Sequence, residues 1–159
     1  MTIEERIKEL ELIPAAPFQS PTGAPYPFSW VRLRGNRGFI SGHLPLNADG
    51  TLADPRGKVG DMITIEQGAQ LARLTGLAML GSLRRELGNL DRVAAWLRVL
   101  VLVNAAPGTP QLAGVANGFS ELILELYGRD RGAHARSAIG VAELPYGVAV
   151  EIEAEIEIA

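Results

Sequence analysis

Apolar residues recur along this chain in two rhythms. Between Thr64 and Leu87, the residues Ile65, Ala69, Ala72, Leu74, Leu77, Leu80, Leu83 and Leu87 fall at helical spacing. Thr64 with Gln67 makes a capping box at the start, and Gly88 follows the end, so the segment predicts a long helix. Pro110–Tyr127 predicts a second helix, with Leu112, Val115, Phe119, Leu122, Ile123 and Leu126 on its core side and Gly128 after it. Val93–Asn104 is a dense β-branched run, the pattern of a strand buried on both faces for much of its length. Val148–Ile158 alternates strictly: Val150, Ile152, Ala154, Ile156 and Ile158 on one face, Glu151, Glu153, Glu155 and Glu157 on the other.

The remaining elements are shorter. Phe28–Arg34 and Gly38–His43 flank a Gly35-Asn36 turn signal and predict a hairpin. Ser137–Leu144 predicts a strand, separated from the last one by a turn at Pro145-Tyr146-Gly147. Thr2–Leu12 reads as a short helix with Thr2 as its cap and Ile3, Ile7 and Leu10 near one face. Five prolines then forbid regular helix through Ile13–Phe28. Leu44–Gly60 is a loop rich in Gly, Pro, Asp and Asn. The order helix, β, β, α, β, α, β, β predicts an α+β domain, a mixed sheet with two long helices on one face plus the short N-terminal helix. The other sheet face still carries Val, Ile and aromatic residues. An uncovered apolar face is unexpected on a monomer, so self-association into a ring is predicted, with clefts between subunits.

Composition narrows the chemistry. At 159 residues and 47% hydrophobic content the chain can build a core, and with no cysteine it has neither disulfides nor thiol chemistry. The net charge of −3 and the lack of a basic stripe argue against nucleic acid as a partner. No secretory leader pattern is present, and the longest apolar runs, such as Val99–Ala106, fall far short of a membrane span. These features predict a cytoplasmic protein without a membrane or nucleic-acid partner. Thirteen arginines stand against two lysines. Genome composition explains such a bias, and so does carboxylate or phosphate recognition by single well-placed arginines. The two histidines, His43 and His134, lie in no metal-ligand spacing, and no phosphate loop or nucleophile elbow occurs. Arg136, at the start of a strand, is the strongest single candidate for an anion site.

Three segments add a family resemblance. They are Gly35-Asn36 through Ser41-Gly42-His43-Leu-Pro45, Val115-Ala-Asn117, and Ala135-Arg136-Ser137 with Leu144-Pro145 and Val150-Glu151-Ile152-Glu153-Ala154. Together they resemble the RidA family (YjgF-like reactive intermediate deaminases, formerly endoribonuclease L-PSP) from about Ala24 to the C-terminus, in a divergent, longer branch. The resemblance implies a chorismate-mutase-like fold, with residues 1–23 as an N-terminal helix and Pro-rich tether and 24–159 as the RidA-like domain. It implies a homotrimer with clefts between subunits. It implies hydrolysis of small enamines and imines, such as 2-aminoacrylate, to 2-keto acids and ammonia without metal or organic cofactor.

The family's essential arginine falls on Arg136, where a guanidinium can grip the substrate carboxylate through two parallel hydrogen bonds. Its water-associated glutamate falls on Glu151. Ala138 stands at a position that offers backbone groups to substrate. Asn117 matches a frequent asparagine, read either as a polar cleft residue or as a structural hydrogen bonder. Phe28 stands where a tyrosine is common, and His43 where glutamine is usual, so both are expected to shape the substrate pocket. The missing phenol leaves an alternative open: a non-catalytic or regulatory trimer that binds a carboxylate metabolite through Arg136. Ribonuclease activity, the family's older label, is disfavoured by the acidic balance and by the lack of a convincing histidine pair.

Overall fold

The computed structural model describes residues 1–159. The chain runs α1 (Ile3–Glu9), β1 (Val31–Arg34), β2 (Arg37–His43), α2 (Ile65–Leu87), β3 (Val93–Asn104), α3 (Leu112–Gly132), β4 (Ala135–Val141) and β5 (Val150–Ile158). The five strands form one mixed sheet in the order β1-β2-β5-β3-β4. β3 and β4 are parallel, connected through α3, and every other pairing is antiparallel. α2 and α3 pack against each other on one sheet face. This is the α+β architecture that the hydrophobic pattern predicts.

Element ends differ from expectation for local reasons. The strand expected over Ser137–Leu144 instead pairs with β3 from Ala135 to Val141. Only Val31–Arg34 of the expected first strand pairs with β2, and Phe28 and Trp30 join an aromatic cluster beside it. Gly128 does break the second long helix (φ 69°, ψ 178°), but helical turns resume as far as Gly132.

The caps form as their sequence signals imply. The Thr2 and Thr64 hydroxyls accept from the backbone N–H of Glu5 and Gln67, and those side chains bond back to the cap N–H groups. Trp96 of β3 anchors the core, edge-on to Phe119 and Tyr127 at 5.8 Å each. α2 and α3 approach so closely that a Cβ on Gly118 would run into the backbone carbonyl of Ala69.

The N-terminal segment covers the outer side of this pair. Ile3 and Ile7 are buried in the main core, and the Ala15 N–H donates to the Leu77 carbonyl at 3.1 Å. α2 is therefore buried nearly all round from Thr75 to Leu83, wider than the single stripe its periodicity predicts. The opposite sheet face carries exposed Phe39 and Ile139, half-buried Leu100 and Leu102, and the glutamates of β5. It is a mixture of apolar and acidic positions, because the β-branched residues of β3 and β5 point to the helices.

A candidate active site divided between sheet edges

Arg136 is the second residue of β4, an edge strand, and lies opposite Val99 of β3, which in turn lies opposite Ala154 of β5. Directly opposed residues share a face. Val99 and Ala154 are buried toward the helices, so Arg136 projects to the helix side. There its Nη1 donates to Asn117 Oδ1 and to Ser120 Oγ, both at 3.0 Å. Asn117 and Ser120 are three residues apart on α3, the spacing that puts two side chains on one helix face. The guanidinium is thus held by one nitrogen, while Nε and Nη2 bond nothing else in the chain and Arg136 enters no ion pair. A fork held in that way is ready for a planar two-oxygen anion.

Ser120 also faces His134. The ring Nδ1 lies 2.7 Å from the Gly132 carbonyl, which only accepts, so Nδ1 carries the proton. Nε2 therefore accepts from the Ser120 hydroxyl at 2.9 Å. Burial lowers the histidine pKa from its ordinary value, and nearby Arg136 adds to the effect, which keeps the ring neutral. Ser120 was not among the sequence candidates, and His134, weighed there as a metal ligand, joins Arg136 through it. The signal available was the three-residue step from Asn117 to Ser120.

Glu151 occupies a different place. It lies opposite Leu102, which lies opposite Ile139, on the open face of the sheet. Half-burial, with a smaller contribution from Glu153, raises its carboxyl pKa above the ordinary glutamate value. Its carboxylate rests over Gly42, where any Cβ would collide with it.

The other sequence candidates scatter. Ala138 follows Arg136 by two on the same side of β4, half-buried against the core. Half of an edge strand's backbone groups face outward, so that strand retains free donors and acceptors. Phe28 is exposed near the other sheet edge, clustered with Tyr26 (5.3 Å) and Trp30 (5.1 Å). It lines a cavity of about 460 Å³ with Trp30, Ser82 and Arg85. The Tyr26 hydroxyl is paired with that of Tyr146 at 2.7 Å. His43 is 3% exposed and points under α2, with two strands between its own strand and β4. Its Nδ1–H donates to the Ser41 carbonyl and its Nε2 accepts from Ser82. No group of three or more His, Asp or Glu side chains converges as a metal site would require.

No family model matches the chain. It is 37% identical over 146 residues to Protein TCP17 of Trypanosoma cruzi, covering 92% of this chain and 87% of that protein. Among solved structures it resembles Atu1372 of Agrobacterium tumefaciens, a protein of unknown function (31% identity, TM-score 0.85, 99% and 92% of the two chains). It shares its fold with RidA from an Antarctic Psychrobacter (20% identity, TM-score 0.56, 85% and 91% of the two chains).

Proposed function

The chain belongs to the RidA (YjgF, L-PSP) family, and from that premise we propose that it hydrolyses small 2-enamines and 2-imines to 2-keto acids and ammonia. Members of the family include enamine and imine deaminases. The observation that carries the reading is the Arg136 guanidinium, anchored through Nη1 with Nε and Nη2 left for a carboxylate. An enamine enters as its imine tautomer, a proton having moved from nitrogen to C3, and the substrate carboxylate sits on that fork, which orients the adjacent C=N carbon. Glu151, made more basic by burial, takes a proton from water as the oxygen adds to that carbon. Proton return to nitrogen and cleavage of the C–N bond release ammonia and leave the keto acid. No electrons are exchanged, and the sum is imino acid plus water giving keto acid plus ammonia.

A single chain does not complete this site. Arg136 and Asn117 are at the β4 edge on the helix side, Glu151 is on the open face, and Phe28 is near the β1 edge. A ring of subunits joins one chain's β4 edge to a neighbour's open face, and a homotrimer with three such clefts is the assembly we infer. Residues 24–159 then form the RidA-like domain, with residues 1–23 as its extension. No helix is long and apolar enough to cross a membrane, and we place the protein in the cytoplasm.

One observation favours a second reading. Phe28 supplies an aromatic wall without a hydroxyl, and the nearby Tyr26 hydroxyl is engaged with Tyr146. A trimer that binds a carboxylate metabolite without turning it over would look the same. The two readings part on freshly generated 2-aminoacrylate. The deaminase reading expects wild type to accelerate keto-acid release and Arg136→Ala to lose about 100-fold or more. Equal rates with and without wild type, alongside retained keto-acid binding, establish the binding module.

A further inference from the structure

The pocket flanking Arg136 carries more positive charge than one carboxylate needs. It has a volume of about 360 Å³ and is lined by Ser120, Leu124, Arg129, Ala133, His134 and Arg136. Two of these six are arginines and one is a histidine, and none is acidic. The chain as a whole is acidic, and six of its thirteen arginines pair with carboxylates. Neither arginine of this pocket does. Arg129 is exposed and makes no side-chain hydrogen bond or ion pair within the chain. It directly follows Gly128, whose positive φ interrupts α3, and the chain then curls through His134 back to Arg136. Leu124 and Ala133 are the apolar part of the pocket's lining.

Resting on the reading of Arg136 as a carboxylate site, we propose that Arg129 binds a second anionic group and that the protein's ligand is a dicarboxylate, the 2-imine of an acidic amino acid or its keto product. The 2-carboxylate takes the Nε and Nη2 edge of Arg136. The methylenes lie along Leu124 and Ala133, and the distal carboxylate reaches Arg129. Neutral His134 holds Ser120 in place and adds no competing charge. Hydrolysis is unchanged by the second group: water adds at C2, the C–N bond breaks, ammonia leaves, and the distal carboxylate takes no part.

The test is calorimetric titration of the full-length protein with 2-oxoglutarate and with 2-oxobutyrate, in wild type and Arg129→Gln. One additional charge-assisted contact is worth about a tenfold tighter Kd for the dicarboxylate. Arg129→Gln is expected to bring the ratio of the two dissociation constants close to one, and added salt to shrink it in wild type. Equal affinities in wild type, or a ratio that Arg129→Gln does not move, overturn the inference while leaving the Arg136 site intact. Failure of wild type to bind either acid overturns the carboxylate-site reading and this inference with it. Because the exposed Arg129 side chain makes no hydrogen bond or ion pair within the chain, thermal melting of Arg129→Gln should match wild type.

Discussion

Gly42 shows how one backbone position can fix a side chain to which the proposed chemistry gives a role. A methyl there would strike the Glu151 carboxylate, the far end of a flexible side chain. Gly42→Ala is therefore expected to displace Glu151 without unfolding the sheet. The melting temperature should hardly move, while turnover falls by about tenfold or more. Comparing kcat with the melting temperature checks this directly. The histidines reveal a second device. Arg136, Ser120, His134 and the Gly132 carbonyl form a directed chain of hydrogen bonds, and Arg85, Ser82, His43 and the Ser41 carbonyl form another. In both, a carbonyl assigns the ring tautomer, the ring fixes the serine hydroxyl, and the serine accepts from an arginine. His43 is nearly fully buried, which lowers its pKa to about 4, with the Arg85 charge a lesser cause. The unfolded chain takes up a proton near the ordinary value of 6.5, whereas the folded chain resists until about 4. Stability is thus full above pH 6.5 and falls as pH drops through that window, by roughly 3 kcal/mol in all. Urea titrations from pH 7 to pH 4 should show the loss, and His43→Gln should flatten that part of the profile.

The helices and strands differ in how far their sequence announces them. The alternation of β5 left one choice of face, and the periodicity of α2 gave its extent and its core stripe, though not the second buried side that the N-terminal segment covers. The ends of β1 and β4 were not legible, because strand ends depend on where a neighbour stops pairing. His43 was misleading for a related reason. Between Ile40 and His43 the strand has two residues opposite the single Glu153 of β5. This bulge returns His43 to the same face as Ile40, although residues three apart in a regular strand face opposite ways. Alternation alone cannot locate an extra residue, so the burial of His43 under α2 was hidden. Arg136 was legible from its motif, whereas its anchor Ser120 required knowing which face of α3 meets β4. The α2–α3 contact was also invisible in the periodicity, since it turns on a glycine. Gly118→Ala places a Cβ against the backbone of Ala69, which has no flexible end to yield. The expected cost is about 2 kcal/mol or more. A chemical denaturation curve with a lower midpoint and unchanged slope checks it.

On the proposed reading, each chain holds one share of a larger site. Each chain presents a prepared guanidinium at the β4 edge and a carboxylate of raised pKa on its open face, pointing in opposite directions. The open face holds exposed Phe39 and Ile139, the apolar surface a neighbour would cover. If neighbouring subunits complete the site, two inactive variants should rescue each other. Arg136→Ala keeps Glu151, and Glu151→Gln keeps Arg136. Co-expression of the two with different affinity tags allows mixed assemblies to be isolated and assayed on 2-aminoacrylate. With random mixing of equal amounts, about one quarter of the clefts combine an intact arginine with an intact glutamate from different chains. The account predicts recovery of about that fraction of wild-type activity, with each variant inactive alone. Mixed assemblies that form and remain inactive would contradict it.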